Sequence, residues 1–248
     1  MSAAAAPRAG HGSDILLDVA GLAAGYGGMP VLHDLALEVA RGEIIAVVGS
    51  NAAGKTTMLR ALSRVIPCSG TIRFQGREIQ ALSANEVFRL GMVQVPEGRQ
   101  LFDRMTVHDN LLIGASRRND RSDVTRSLDH AYALFPVLKR YRSRLAGSLS
   151  GGEQQMCAMA RALVAAPKLL MVDEMSLGLA PAIVDHLLEV LADVRREGIT
   201  ILLVEQDVNA AFEIADRGYV LEEGRIVKQG TAADLERDPA VRRAYLGT

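Results

Sequence analysis

Apolar positions along this 248-residue chain follow two rhythms. Short blocks rich in Val, Ile and Leu near 15–19, 34–39, 43–48, 71–75, 169–173, 199–204, 217–221 and 225–229 read as strands. Between several of them the apolar residues recur every three or four positions. Met58, Leu59, Leu62, Val65 and Ile66 share one helical stripe, so the order around residue 50 is strand, turn, helix. "IVDHLLEVLADVRRE" followed by "EGITILLVE" repeats helix then strand, the pattern of a parallel sheet covered on both faces. The first 45 residues or so and the segment 217–230 read instead as antiparallel strands. From about 84 to 165 the pieces "NEVFRL", "TVHDNLLIGASRR", "DVTRSLDHAYALFPVL" and "GGEQQMCAMARALVAA" are all helical, with no convincing strand. The expected plan is a loose tail over 1–13, then one α/β domain over 14–248 with a helical subdomain inserted at about 84–165.

The strand ending at residue 48 runs into "GSNAAGKTT". Gly49, Ser50, Asn51, Ala52, Ala53, Gly54, Lys55 and Thr56 fit G-x-x-x-x-G-K-[ST], with Thr57 following, in the strand-to-helix context that this phosphate-binding loop requires. Small residues let the backbone curl so that amide groups face one anion, and the helix N-terminus adds its positive end. Lys55 is placed to reach β- and γ-phosphates, and Thr56 to offer a hydroxyl to Mg²⁺. Ala52 stands where a glycine is common. If positive φ is needed there, alanine costs about 1–2 kcal/mol, small beside charge-assisted phosphate contacts.

A second acidic feature ends the strand "LLMVD": Asp173 can hold Mg²⁺ through water, and Glu174 can polarise an attacking water. A third lies in "LSGGEQQ", where Ser150, Gly151 and Gly152 precede a helix carrying Met156, Met159, Ala160 and Leu163 on one side. That helix start is either a plain N-cap or a second anion-binding turn. One phosphate loop with two such turns suggests that the second serves a nucleotide held elsewhere.

Composition narrows the partners. Lys plus Arg number 28 against 29 Asp plus Glu, so no global field points to nucleic acid or anionic lipid. Hydrophobic residues reach 49%, yet runs such as "IIAVV" fall far short of the ~20 residues a membrane span needs. Cys68 and Cys157 lack CxxC spacing and are expected to pack as reduced thiols, which favours the cytoplasm. The scattered histidines make no ligand pair at zinc spacing, and "MSAAAAPRAGHGSD" lacks the apolar stretch of a signal peptide.

Taken in order, the phosphate loop, "LSGGEQQ" and "LLMVDE" resemble the ATP-binding subunit of an ABC transporter across residues ~15–230. The resemblance implies a P-loop NTPase (RecA-like) core with an antiparallel β subdomain and an inserted helical subdomain. It also implies ATP and Mg²⁺ as ligands, and a head-to-tail pair of nucleotide domains in which Leu149, Ser150, Gly151, Gly152 and Glu153 meet the ATP of a second ATPase subunit, identical or sister. Tyr26 in "AAGYGG" matches the aromatic that stacks on adenine, and "SLGLAP" the loop that crosses the interface. Two positions depart from the general pattern. Glu97 stands where a glutamine ligand near Mg²⁺ is expected, with Gln94 three residues early, and Gln206 replaces a histidine. Glutamine can hydrogen-bond a γ-phosphate but cannot take up a proton near neutral pH, which leaves Glu174 as the base beside Lys55 and Gln206. These departures, with "SLGLAP" and "ADRGYVLEEGRI", resemble the importers of branched-chain amino acids and the related urea importers. The implied protein is a peripheral subunit on the cytoplasmic face of the inner membrane. It would dock on a membrane permease near Glu97 and be served indirectly by a periplasmic binding protein. A soluble ABC ATPase acting on ribosomes or DNA is the other class; it usually needs two cassettes, a coiled-coil insertion or a basic stripe.

Overall fold

Two twelve-residue strands, β1 (Ile15–Tyr26) and β2 (Met29–Ala40), form an antiparallel hairpin. Its turn is Gly27-Gly28, both at positive φ (57° and 82°), a pair that matches hairpin twist without strain. The hairpin is longer than the apolar blocks at 15–19 and 34–39 suggest, because the alternating pattern continues through small residues such as Ala20 and Ala24. The computed structural model describes residues 14–116 and 118–246, so the tail expected over 1–13 lies outside the described residues. After β3 (Ile44–Val48) and α1 (Lys55–Leu62), strands β4 (Cys68–Phe74) and β5 (Arg77–Glu78) complete the first sheet in the order β2-β1-β4-β5.

The second sheet has the order β10-β9-β3-β8-β7-β6. It consists of β3 together with β6 (Met92–Val95), β7 (Leu169–Asp173), β8 (Thr200–Glu205), β9 (Arg217–Glu222) and β10 (Arg225–Thr231). All of its neighbours pair in parallel except β9 with β10. Strands β3, β7 and β8 are buried at every position, as continuous apolar runs sandwiched on both faces should be. Alternation then splits each strand between two cores. Ile44, Ala46 and Val48 face the helices α6 (Gly151–Val164) and α7 (Pro181–Arg196), whereas Ile45 and Val47 face Met58, Leu59 and Leu62 of α1 and, beyond them, the first sheet.

Between β5 and β7 the chain is mostly helical: α2 (Ala84–Leu90), α3 (Val107–Gly114), α4 (Arg121–Leu134), α5 (Pro136–Arg140) and α6. Helices α3 and α6 come very close, since a Cβ on Gly114 would sit 2.0 Å from the Arg161 carbonyl oxygen. Arg161 of α6 also donates to the carbonyls of Arg99 (3.0 Å) and Gln100 (2.8 Å). Those two consecutive residues lie at positive φ, 64° and 44°.

Three expectations are corrected. The 84–165 segment is not free of strand: β6 pairs with β7 from Met92↔Leu169 to Val95↔Val172, and at four residues with Gln94 in its middle it is too short to show a period. The stripe proposed for α1 overran, because Arg64 turns to φ 59° and leaves Val65 62% exposed. Over 217–230 only β10 is an antiparallel edge, whereas β9 is also a parallel neighbour of β3 and has a buried middle. Both cysteines are free, and burial pushes the Cys157 thiol up to about 12, so it stays an unreactive core residue.

Candidate nucleotide site

In a parallel sheet, ligands gather at the carboxyl ends of the strands. Gly49 follows β3, Asp173 ends β7 and Glu174 follows it, while Glu205 ends β8 and Gln206 follows it. The loop turns through Ala52 at φ 66° and Gly54 at φ 108°. Ala52 therefore does adopt the conformation that disfavours a Cβ, and the loop accepts that strain. Gly54 caps α1 with no side-chain bond to the helix amides, which leaves them available to an anion. Ser50, Asn51 and Ala52 are exposed, whereas Gly49, Ala53, Gly54, Lys55 and Thr57 are buried.

The Lys55 ammonium donates to the carbonyl oxygens of Gly49 (2.7 Å) and Ser50 (2.9 Å) and lies 3.1 Å from the Glu174 carboxylate. It thereby closes the loop on itself and presents a buried cation beside an acid. Thr56 donates its hydroxyl to Asp173 Oδ1 at 3.4 Å, while Asp173 Oδ2 is buried with no hydrogen-bond partner. Burial pushes the Asp173 carboxyl up to about 6, Thr56 partly opposes this, and the neighbouring Glu174 and Glu97 charges add to it. An orphaned carboxylate oxygen beside a hydroxyl is a donor set that suits a hard divalent cation. Among the described residues no three His, Cys, Asp or Glu side chains converge on one point, so phosphate oxygens and water would complete its shell.

Glu174 sits at φ 45° with its amide donating to Val204 O (2.9 Å). Gln206 is exposed and lines, with Glu174, Ser176 and Tyr245, a cavity of about 470 Å³. Glu97 is exposed, near enough to Asp173 to raise its proton affinity, while Gln94 is turned away to accept from the Ser63 hydroxyl at 2.8 Å. Tyr26, 43% exposed at the hairpin tip, accepts from Arg60 (3.3 Å) and from Thr57, so it lies over the start of α1. Leu149–Glu153 stands apart: Ser150 and Glu153 form a reciprocal capping box, with Ser150 N–H donating to Glu153 Oε2 at 2.8 Å, and Gly151 lies against Arg99.

Two neighbours of the site escape sequence reasoning. Glu205 is 1% exposed and accepts from the amide (3.1 Å) and hydroxyl (2.7 Å) of Ser176. Tyr245, from the end of the chain, donates to Glu222 (3.3 Å) and accepts from the Ser50 amide. Glu205 carries a faint signal as an acid closing an otherwise apolar strand; Tyr245 carries none.

A glycine-rich anion cradle at a strand-to-helix turn, a buried lysine and paired acids on a mixed sheet define a nucleotide-hydrolysing cassette. Residues 32–176 match the ABC transporter family, and the chain belongs to it; it is an ATP-binding subunit and an ATPase. Among curated relatives it is similar to the "High-affinity branched-chain amino acid transport ATP-binding protein BraG" of Pseudomonas aeruginosa, with 47% identity over 223 residues, covering 90% of this chain and 95% of that one. It is also 32% identical over 229 residues to the "Lipopolysaccharide export system ATP-binding protein LptB" of Escherichia coli, covering 91% and 95%. Among solved structures, "Structure of ATP binding subunit of ABC transporter" aligns with TM-score 0.81 at 29% identity over 94% of this chain and 96% of that one.

Proposed function

We propose that this chain is the motor of an importer for branched-chain amino acids, in which two ATPase subunits, identical or sister, sit on the cytoplasmic face of a membrane permease fed by a periplasmic binding protein. The 47% identity to BraG, well above the 32% to LptB, supports import and this cargo over export. No described helix is long and apolar enough to cross a membrane, which fits a subunit borrowing its membrane passage from partners.

In this reading the amides of Gly49–Thr57 cradle the triphosphate, Lys55 neutralises its β- and γ-phosphates, and Tyr26 stacks on adenine. Thr56, Asp173 and Glu97 would hold Mg²⁺, which when bound shields phosphate charge. Glu174 orients and deprotonates the attacking water, Gln206 donates a hydrogen bond to the terminal phosphate, and Leu149–Glu153 closes on the ATP of the opposite subunit. The single observation that carries the hydrolytic reading is the Lys55–Glu174 contact at 3.1 Å, which sets the cation of the loop and the candidate base side by side.

Replacing Glu174 by Gln tests it. The variant should bind ATP with unchanged affinity, hydrolyse about 10²–10⁴-fold more slowly and accumulate as a closed dimer with MgATP, while the complex in vesicles should stop taking up leucine. Turnover within a few-fold of wild type refutes the role of Glu174, and wild-type vesicles that fail to accumulate branched-chain amino acids refute the cargo.

A further inference from the structure

The residues of the site that match known motifs are explained by ATP hydrolysis, but Glu205 is not among them. It ends β8 and is 1% exposed, and its carboxylate collects three donors: the Ser176 amide at 3.1 Å, the Ser176 hydroxyl at 2.7 Å, and the Gln206 amide. One residue earlier in the same strand, Val204 accepts from the Glu174 amide at 2.9 Å. Two consecutive residues of β8 therefore grip two residues of the loop after β7, on either side of the buried Met175. Beyond the grip the chain turns outward, with Leu177 58% exposed, Gly178 at φ 69° and the Leu179 amide donating back to the Ser176 carbonyl at 3.1 Å.

The chemistry of the grip is specific. Two of the partners are backbone amides that can only donate, and a carboxylate offers them and the Ser176 hydroxyl two acceptor oxygens at once. A glutamine keeps one acceptor oxygen for the amides and turns its NH₂ toward the Ser176 hydroxyl, which must then rotate to accept. Yet a third acid beside Asp173 and Glu174 is unfavourable for folding. Burial raises the proton affinity of Glu205, Glu174 adds like-charge repulsion, and Lys55 is the ammonium in ion-pair contact with Glu174. A residue that costs stability at the edge of a hydrolytic cavity is kept for what it positions.

We propose that Glu205 is a positioning residue for hydrolysis: by clamping Ser176 and the Gln206 amide it fixes the peptide that aims Glu174 at the attacking water and anchors the start of the exposed 177–178 loop. This inference rests on the reading of Glu174 given above. A positioning defect should lower turnover and leave nucleotide binding alone, since none of the Glu205 bonds is to the 49–57 loop among the described residues.

The test compares Glu205→Ala, Glu205→Gln and the milder Ser176→Ala in the full-length protein, measuring steady-state ATPase activity, equilibrium binding of a fluorescent ATP analogue and thermal unfolding. We expect kcat to fall at least 10-fold in Glu205→Ala, less in Glu205→Gln, which keeps one acceptor, and 3- to 10-fold in Ser176→Ala. ATP-analogue affinity should stay within threefold throughout. The inference is overturned if Ser176→Ala and Glu205→Gln both keep kcat within twofold of wild type, or if binding weakens in step with kcat, the signature of a general folding defect. Should Glu205→Ala fail to fold, the other two variants still decide. Glu174→Gln separates the layers: if it stalls while the Glu205 and Ser176 variants turn over normally, this inference alone falls, and if it turns over normally, both fall.

Discussion

Asp173 offers a test in which the expected size follows from the structure. Its carboxyl, raised by burial to about 6 from the 3.8 of an exposed aspartate, holds a proton in the folded chain that the unfolded chain has already released. Because the folded value is the higher one, the stabilisation is complete below pH 3.8 and disappears as pH rises through 6. At 1.36 kcal/mol per tenfold change in proton affinity, wild type at neutral pH is on the order of 3 kcal/mol below the stability it would have with a neutral group there. Asp173→Asn is such a group. Its amide also places N–H where Oδ2 already lacks a partner, an offset of about 1–3 kcal/mol that does not depend on pH. The informative quantity is thus the change with pH. Urea unfolding of both proteins in chelator-containing buffer at constant ionic strength should show the difference moving in favour of Asn by about 1.4 kcal/mol between pH 5 and 7.5, most of it below pH 6. Parallel stability curves over that range would mean that Asp173 is ionised throughout, and the burial argument would be wrong.

Two further expectations concern backbone geometry. Ala52 sits at φ 66°, so Ala52→Gly relieves about 1–2 kcal/mol of strain but adds about 0.4–1 kcal/mol of unfolded-chain entropy. The net is a gain of up to about 1.6 kcal/mol, each kcal/mol of which raises the unfolding midpoint by about 2–4 °C in a chain of this size; a clear fall would show that Ala52 makes a compensating contact. Gly114→Ala places a methyl 2.0 Å from the Arg161 carbonyl and must push α3 from α6. It should lose about 1–3 kcal/mol in denaturant unfolding, and a variant as stable as wild type would show that the helices slide apart freely.

Much of this was legible in the sequence because the relevant signals are local. Gly49–Thr56 announces its loop through spacing alone, and the fully apolar β3, β7 and β8 announce a sheet covered twice. What stayed hidden depends on distant partners. β6 is a strand because β7 supplies its ladder, and β9 is interior because β3 lies beside it. Val65 carries the right residue type for the α1 stripe, yet the backbone reversal at Arg64 sends it outward. Glu205 reads as an ordinary strand-end acid until Ser176, 29 positions earlier, is seen to donate to it. The cassette is shared by relatives named for branched-chain amino acid transport and for lipopolysaccharide export, which is why local motifs define the hydrolytic machine more sharply than its cargo.

The Arg161 guanidinium fastens the left-handed corner at Arg99-Gln100 to α6, and α6 begins at Gly151, just past the Ser150 cap. The eleven residues from Gly151 to Arg161 span about 15 Å along the helix. Arg99 also reaches the start of the same helix, its guanidinium donating to Gln154 Oε1 at 3.2 Å and lying against Gly151, so one residue ties the corner next to Glu97 to both ends of this span, by its backbone at Arg161 and by its side chain at the serine-glycine turn.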